Sequence, residues 1–444
     1  MDALQTEVYQ STTSPIARIA TKSSVKLISS SSSIQHGKHI PTSAEIYQSR
    51  YVPEAWAPDS RGTYGGDLIT QGLNAAWQSV LNRSKQDNDD AKAPTTDGTN
   101  FQPHSIHAYF VKAGSTESVM RWEVIKVSDT RNFANRCVLG YQSHSGVLVV
   151  TIQASFTRNN DLILKQRQFE HQISQGQNPK SWPLVFKRNP GPMFFKYRDN
   201  LHDLNIKTMY YSNHITRAMP KELFEYSEGF NLDTTADQEW GMFVKINDDL
   251  HGRVIGESAE HQQEEEGGAT AAAAAGAGAV AGPSAGELTR RKYLALTYLS
   301  DSFWASTLVK ALGLPIGITT AKTVSLDHTL YFHDSNFEIG IRKRKPKRKS
   351  GTGKSSSTED FHESVDDDSN WLYMETQFVS MGNNRMLGII NFYSLENDGK
   401  LIATAVQETY GAFPKDVFEK STQLHKKYNG KVVDKKLLSG GAKL

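Results

Sequence analysis

The side chains whose chemistry is easiest to name in this sequence are three histidines, one cysteine and a few carboxylates and amides. His107, His328 and His333 lie in alternating apolar stretches, away from metal-ligand spacing with other His or Cys, and read as satisfied core or sheet histidines. Cys137 has no obvious base beside it and reads as a buried, inert thiol. Taken singly, Asp301 reads as a surface carboxylate on an amphipathic helix, Ser325 as a strand-edge hydroxyl and Gln407 as an exposed strand residue. None of them announces a reaction by itself.

Composition narrows the field. A chain of 444 residues calls for two domains or one double-sized repeat, with enough residues for a sizeable core. Lys plus Arg total 50 and Asp plus Glu 48, so a net charge of +2 creates no field that would recruit nucleic acid or an anionic membrane. One cysteine excludes an intramolecular disulfide and a Cys-based zinc cluster, which fits an intracellular, reducing compartment. No window approaches the roughly 18 apolar residues needed to cross a bilayer, and Met1 to Ser30 lacks a signal-peptide core.

Positioning elements must lie between three stretches that read as unstructured. These are an N-terminal tail over 1–45, a Gly/Ala-rich insertion over 247–288, and a second insertion over 342–369. In the last, Arg342 to Lys349 carries a basic run and Glu359 to Asp368 an acidic one. Blocks of opposite sign on one loop neutralise each other, so a solvated loop is expected rather than a nucleic-acid patch.

The rest shows an internal repeat. In the first half, Gly65 to Trp77 reads as a helix whose small residues allow close packing on a sheet. Strands follow at Ser105 to Val111, Met120 to Ser128, Ala134 to Gln142 and Val147 to Phe156. The second half has a strand at Trp240 to Ile246 and a helix around Leu294 to Leu312. Its strands then run near Ser325 to His333, Trp371 to Ser380, Met386 to Leu395 and Lys400 to Thr409, with a hairpin turn at Asn397, Asp398 and Gly399. Placing Gly146 on Gly399 aligns Thr151 with Thr404, while Ala108 and Tyr109 align with Leu330 and Tyr331. Two divergent copies of a helix and an antiparallel sheet suit an α+β fold.

Several motifs then occur in order: Tyr64, Gly65, Gly66, Asp67 with Gln71, Gly72; His104, Ser105, Ile106, His107, Ala108, Tyr109, Phe110; Phe169, Glu170, His171, Gln172; Tyr298, Leu299, Ser300, Asp301; Ser325 to His333; and Thr404 to Glu408. Over roughly residues 50–410 this series resembles the type II acyl-CoA thioesterases. The resemblance implies a double hotdog, two fused repeats each with a long helix wrapped by an antiparallel sheet. Its expected divisions are a first, non-catalytic hotdog domain over 46–165, a linker over 166–204, a catalytic hotdog domain over 205–415 and a tail over 416–444.

It also implies that Asp301, Ser325 and Gln407 form the catalytic group, hydrolysing acyl-CoA to fatty acid and CoA with no metal or other cofactor. A thioester carbonyl is already electrophilic, so water activated by Asp301 can attack directly, with Ser325 and Gln407 aligning it. Backbone amides near a helix start would hold the oxyanion. Gln407 aligns with Ala154, so the first repeat lacks a comparable polar side chain. Arg131, Asn132 and Arg136 resemble the family's pre-strand turn, where Arg would meet CoA phosphates. A hotdog enoyl-CoA hydratase would need a paired Asp and His instead, and a non-catalytic acyl-CoA-binding or scaffold protein on the same fold is a further rival. The expected assembly is a homodimer or higher homo-oligomer. Ala442, Lys443 and Leu444 resemble the tripeptide read by the peroxisomal import receptor, so the peroxisomal matrix is the expected location.

Overall fold

The computed structural model describes residues 17–35, 41–55, 62–87, 101–158, 161–183, 185–208, 214–225, 240–252, 254, 282–302, 310, 316, 322–341, 369–395 and 398–412. Helices are α1 (Arg18–Lys22), α2 (Gly65–Asp87), α3 (Leu162–Ser174), α4 (Pro192–Tyr197) and α5 (Ala285–Ser300). The first-half strands are β1 (Val25–Gln35), β2 (Pro41–Ser49), β3 (Phe101–Phe110), β4 (Met120–Asp129), β5 (Phe133–Gln142) and β6 (Leu148–Arg158). Those of the second half are β7 (Asn205–Thr208), β8 (Ile215–Met219), β9 (Trp240–Ile246), β10 (Lys322–Phe332), β11 (Gly340–Ile341), β12 (Ser369–Gly382), β13 (Arg385–Ser394) and β14 (Lys400–Ala412).

One antiparallel sheet joins them in the order β1-β2-β4-β5-β6-β3-β10-β14-β13-β12-β9-β8-β7, with β11 paired to β12 at the side. The order reads as two similar series meeting at β3 and β10. Across that junction Thr329 faces His107, His328 faces Ala108 and Leu330 faces Ile106. The register is therefore symmetric about the His107–Thr329 pair, consistent with the alignment of Ala108 on Leu330. Tyr109 pairs with Thr151 in β6, and Tyr331 with Thr404 in β14, so the second aligned position also keeps its neighbour.

Alternation explains which face is inward. Along β10, His328, Leu330 and Phe332 are buried while Tyr331 is exposed, and along β6 Val150, Ile152, Ala154 and Phe156 are buried. Helix α2 buries Leu68, Ile69, Leu73, Ala76, Trp77 and Val80, and it packs on β3 to β6 and against α5. Aromatic edges bind the helices to each other and to the sheet: Trp77 meets Tyr293 at 5.6 Å between ring centroids, and Tyr293 meets Phe332 at 5.0 Å. Asp398 and Gly399 turn β13 into β14 with φ of 57° and 84°, as the Asp-Gly pair requires.

Three expectations are corrected. The tail assigned to 1–45 is folded from residue 17 where described, because α1 is anchored and β2 has a partner. The Arg18 and Ile19 amides donate to Asp248 at 2.6 and 2.9 Å, and β2 pairs with β4 from Ala44↔Ile125 to Gln48↔Arg121. A serine-rich strand offers the same backbone groups as any other, so composition misread it. The second-half helix starts at Ala285, not near Leu294, since Ser284 caps it by accepting from the Glu287 amide at 3.2 Å, and it ends at Ser300. Its first turn therefore takes the end of the Gly/Ala insertion. The stretch 166–204 is also not featureless, holding most of α3 and all of α4. Most of the two expected insertions, and Ala442, Lys443 and Leu444, lie outside the described residues. Among the described residues, no helix is long and apolar enough to cross a membrane.

Candidate active site

Asp301 is the C-cap of α5. A carboxylate there is partly desolvated and faces the negative end of the helix dipole, so it needs donors. It has them. Ser325 Oγ donates to Asp301 Oδ1 at 3.0 Å, Gln407 Nε2 donates to the same oxygen at 2.5 Å, and Gln407 Nε2 also reaches Ser325 Oγ at 2.8 Å. The Gly66 backbone amide, at the start of α2, adds a hydrogen bond from the other half of the molecule.

The sheet sets these positions. Gln407 on β14 lies opposite His328 on β10, and a register shift between Ser325 and Asp327 inserts an extra residue on β10. Without that bulge, Ser325 and His328 would point to opposite faces, being three residues apart. With it, Ser325 turns to the inner face beside Gln407. The amide read from sequence as exposed is wholly buried, and the hydroxyl is half-buried.

His328, read from sequence as a core histidine, is buried and satisfied. Its partners are what the sequence hid: Nδ1 lies 2.9 Å from Gln407 Oε1 and Nε2 lies 2.9 Å from Ser300 Oγ. The only signal available was the repeat, because the aligned first-half position is Ile106. Tyr64 opens the first motif, and its hydroxyl donates to the Tyr298 carbonyl at 2.6 Å, closing the seam between α2 and α5.

Burial pushes the Asp301 carboxyl above its ordinary range, against the opposing pulls of His328, Ser325, Gln407 and the Gly66 amide. Burial also holds His328 below the usual imidazole value. A base works only when deprotonated, so activity that depends on Asp301 falls as pH drops through its raised pKa. The ascending limb of kcat/KM against pH is expected above the free aspartate range. Ser325→Ala removes a hydrogen bond that favours the anion, so the limb should move to higher pH; a pH–rate series on both proteins checks this.

The three residues expected at CoA divide. Arg131 and Asn132 are exposed in the β4–β5 turn. Arg136 is not available to a phosphate: it is 0% exposed, paired with Asp129 at 2.7 Å, and its Nε donates to Ser79 Oγ at 3.0 Å. It is the fourth residue of β5 and faces inward in alternation with Ala134 and Val138, which explains the error. Arg136→Met should cost about 3 kcal/mol of stability by stranding partly buried partners. Urea unfolding checks that figure. His107 is exposed beside Thr329 at 3.2 Å, His333 bonds Thr404 at 2.9 Å, and burial pushes the half-buried Cys137 thiol up.

The site is thus a helix-end carboxylate held by one hydroxyl and one amide. Residues 52–157 match the family described as the acyl-CoA thioesterase N-terminal domain. Over 314 residues the chain is 25% identical to peroxisomal acyl-coenzyme A thioester hydrolase 1 of Saccharomyces cerevisiae, covering 66% of this chain and 78% of that one. It is 26% identical over 145 residues to acyl-coenzyme A thioesterase 8 of Mus musculus, covering 33% of this chain and 37% of that one. Among solved structures, acyl-CoA thioesterase II TesB2 from Mycobacterium marinum is 17% identical, with 83% of this chain and 92% of that chain covered at a TM-score of 0.42. A tesB protein of Mycobacterium avium subs paratuberculosis is 14% identical, with 90% and 100% covered at a TM-score of 0.45. Over residues 52–157, then, the chain is similar to the acyl-CoA thioesterases.

Proposed function

We propose that this protein hydrolyses acyl-CoA thioesters to free fatty acid and CoA. The observation that carries the reading is the convergence of Ser325 and Gln407 on one oxygen of Asp301 at the end of α5. Asp301 takes a proton from the attacking water as its oxygen bonds to the thioester carbon. Ser325 and Gln407 fix the carboxylate and align that water. The tetrahedral intermediate then collapses, the carbon–sulfur bond breaks, and the proton held by Asp301 goes to the CoA thiolate. Backbone amides near a helix start stabilise the oxyanion.

The same reading takes the sheet as a double hotdog, with α2 and α5 as its two central helices and the working side chains in the second repeat. The mirrored strand order and the symmetric β3–β10 register support it. Arg131 and Asn132 are the remaining candidates for contact with the CoA moiety. Homo-oligomer formation and residence in the peroxisomal matrix are further parts of the proposal, the latter supported by the yeast relative's name, with Ala442, Lys443 and Leu444 as the segment for an import receptor. A tagged protein lacking Leu444 should stay in the cytosol.

A hydratase reading asks for an Asp–His pair on the substrate, whereas both nitrogens of His328 are directed at Ser300 and Gln407. Purified protein with a series of saturated acyl-CoAs should release free thiol at a steady rate. No thiol from any chain length would leave the binding or scaffold reading in its place.

A further inference from the structure

We infer that His328 is a positioning residue of this active site, holding the Gln407 amide in the only orientation that presents two donors to Asp301 and Ser325. The inference rests on the hydrolase reading above and adds a residue to it.

Gln407 Nε2 points at two oxygens, Asp301 Oδ1 and Ser325 Oγ. Its other end is therefore the carbonyl oxygen, which accepts and needs a buried donor. His328 Nδ1 stands 2.9 Å from that oxygen, so Nδ1 carries the ring proton. Nε2 is then an acceptor 2.9 Å from the Ser300 hydroxyl, whose one proton is shared between it and the Thr297 carbonyl at 2.8 Å. Ser300 immediately precedes Asp301. One imidazole thus braces both the amide that binds the carboxylate and the residue on which the carboxylate is mounted. Turning the amide by half a rotation would set its oxygen against Asp301 and its N–H₂ against a ring N–H, two repulsions in a buried site.

The repeat supplies a control built into the molecule. In the first half, β3 and β6 pair Ile106 with Ala154, at the positions where β10 and β14 pair His328 with Gln407. The frame is satisfied by two apolar residues there, and Ile106 and Ala154 are buried. A buried polar pair costs free energy unless every group is bonded, so packing alone does not call for it in the second half. What differs between the halves at this place is the adjoining Asp301 and Ser325.

The test uses the full chain and compares kcat and KM of His328→Leu, His328→Asn, His328→Gln, Gln407→Ala and the double variant His328→Leu with Gln407→Ala. Loss of a brace that acts through another residue should lower kcat roughly 30-fold and leave KM nearly unchanged. An asparagine amide can place its N–H near the Nδ1 position whereas glutamine places it near Nε2. His328→Asn should therefore keep most of the rate, and His328→Gln should lose it. The double variant should be no slower than Gln407→Ala alone. Wild-type kcat in His328→Leu, or losses that multiply in the double variant, would overturn the inference. If His328→Leu does not fold, equal rates for the Asn and Gln variants overturn it. Should Gln407→Ala and Asp301→Asn themselves turn over at the wild-type rate, the hydrolase reading fails rather than the role of His328.

Discussion

Replacing Asp301 by asparagine is expected to reduce kcat on the order of 10³-fold while leaving KM within a small factor and the fold intact. The substitution keeps size and leaves Oδ1 as an acceptor for Ser325 and Gln407, which are 3.0 and 2.5 Å away. What is lost is the capacity to take a proton from water. The Gly66 amide meets the same carboxylate, so the asparagine must also set aside one donor-to-donor conflict at the head of α2. Steady-state thiol release with one saturated acyl-CoA measures the effect. A variant as fast as the parent would remove Asp301 from the mechanism, whatever the geometry around it.

The second large effect is expected at a glycine. A Cβ on Gly66 would stand 2.4 Å from the Tyr298 carbonyl oxygen, 2.4 Å from Tyr64 Cζ and 2.5 Å from the Tyr64 hydroxyl. The Tyr298 carbonyl is backbone, three residues before Asp301, and it already accepts from Tyr64 at 2.6 Å. It has no rotamer to escape into, so α2 and α5 must move apart. Such a shift draws Asp301 away from the Gly66 amide and displaces it relative to Ser325 and Gln407. Gly66→Ala should therefore lower kcat on the order of 10²-fold and cost about 2 kcal/mol of stability. Gly382, around which nothing lies within 4 Å of an added Cβ, is the matched control, and Gly382→Ala should change neither. Kinetics and thermal unfolding on the two variants decide it; an unperturbed Gly66→Ala would mean the seam is not part of the site.

Much of the architecture was legible beforehand because it rests on local patterns. Strand β9 falls on Trp240–Ile246 as its run of apolar residues predicts, and the alignment of Ala108 with Leu330 and Thr151 with Thr404 agrees with the pairing register. Periodicity of two and turn residues such as Asp398 and Gly399 are written into the chain itself. Where composition stood in for pattern, the reading failed: α1 and the serine-rich β1 were taken as tail, because Asp248, which anchors α1, and β4, which pairs with β2 and through it carries β1, lie far along the sequence.

The identities of Asp301, Ser325 and Gln407 followed from ordered motifs that resemble a family, whereas nothing in their spacing required them to meet. The tertiary structure brought them together through a bulge that turns Ser325 inward and a strand pairing that sets Gln407 beside it. It also removed Arg136 from the substrate by burying it against Asp129, and gave His328 its two partners. A sequence by itself determines which side chains alternate on a strand and which turns they favour, since those depend on neighbours within a few residues. Which buried donor faces which acceptor depends on register shifts and on two halves closing at Tyr64, Gly66 and Tyr298, and only the folded chain decides that.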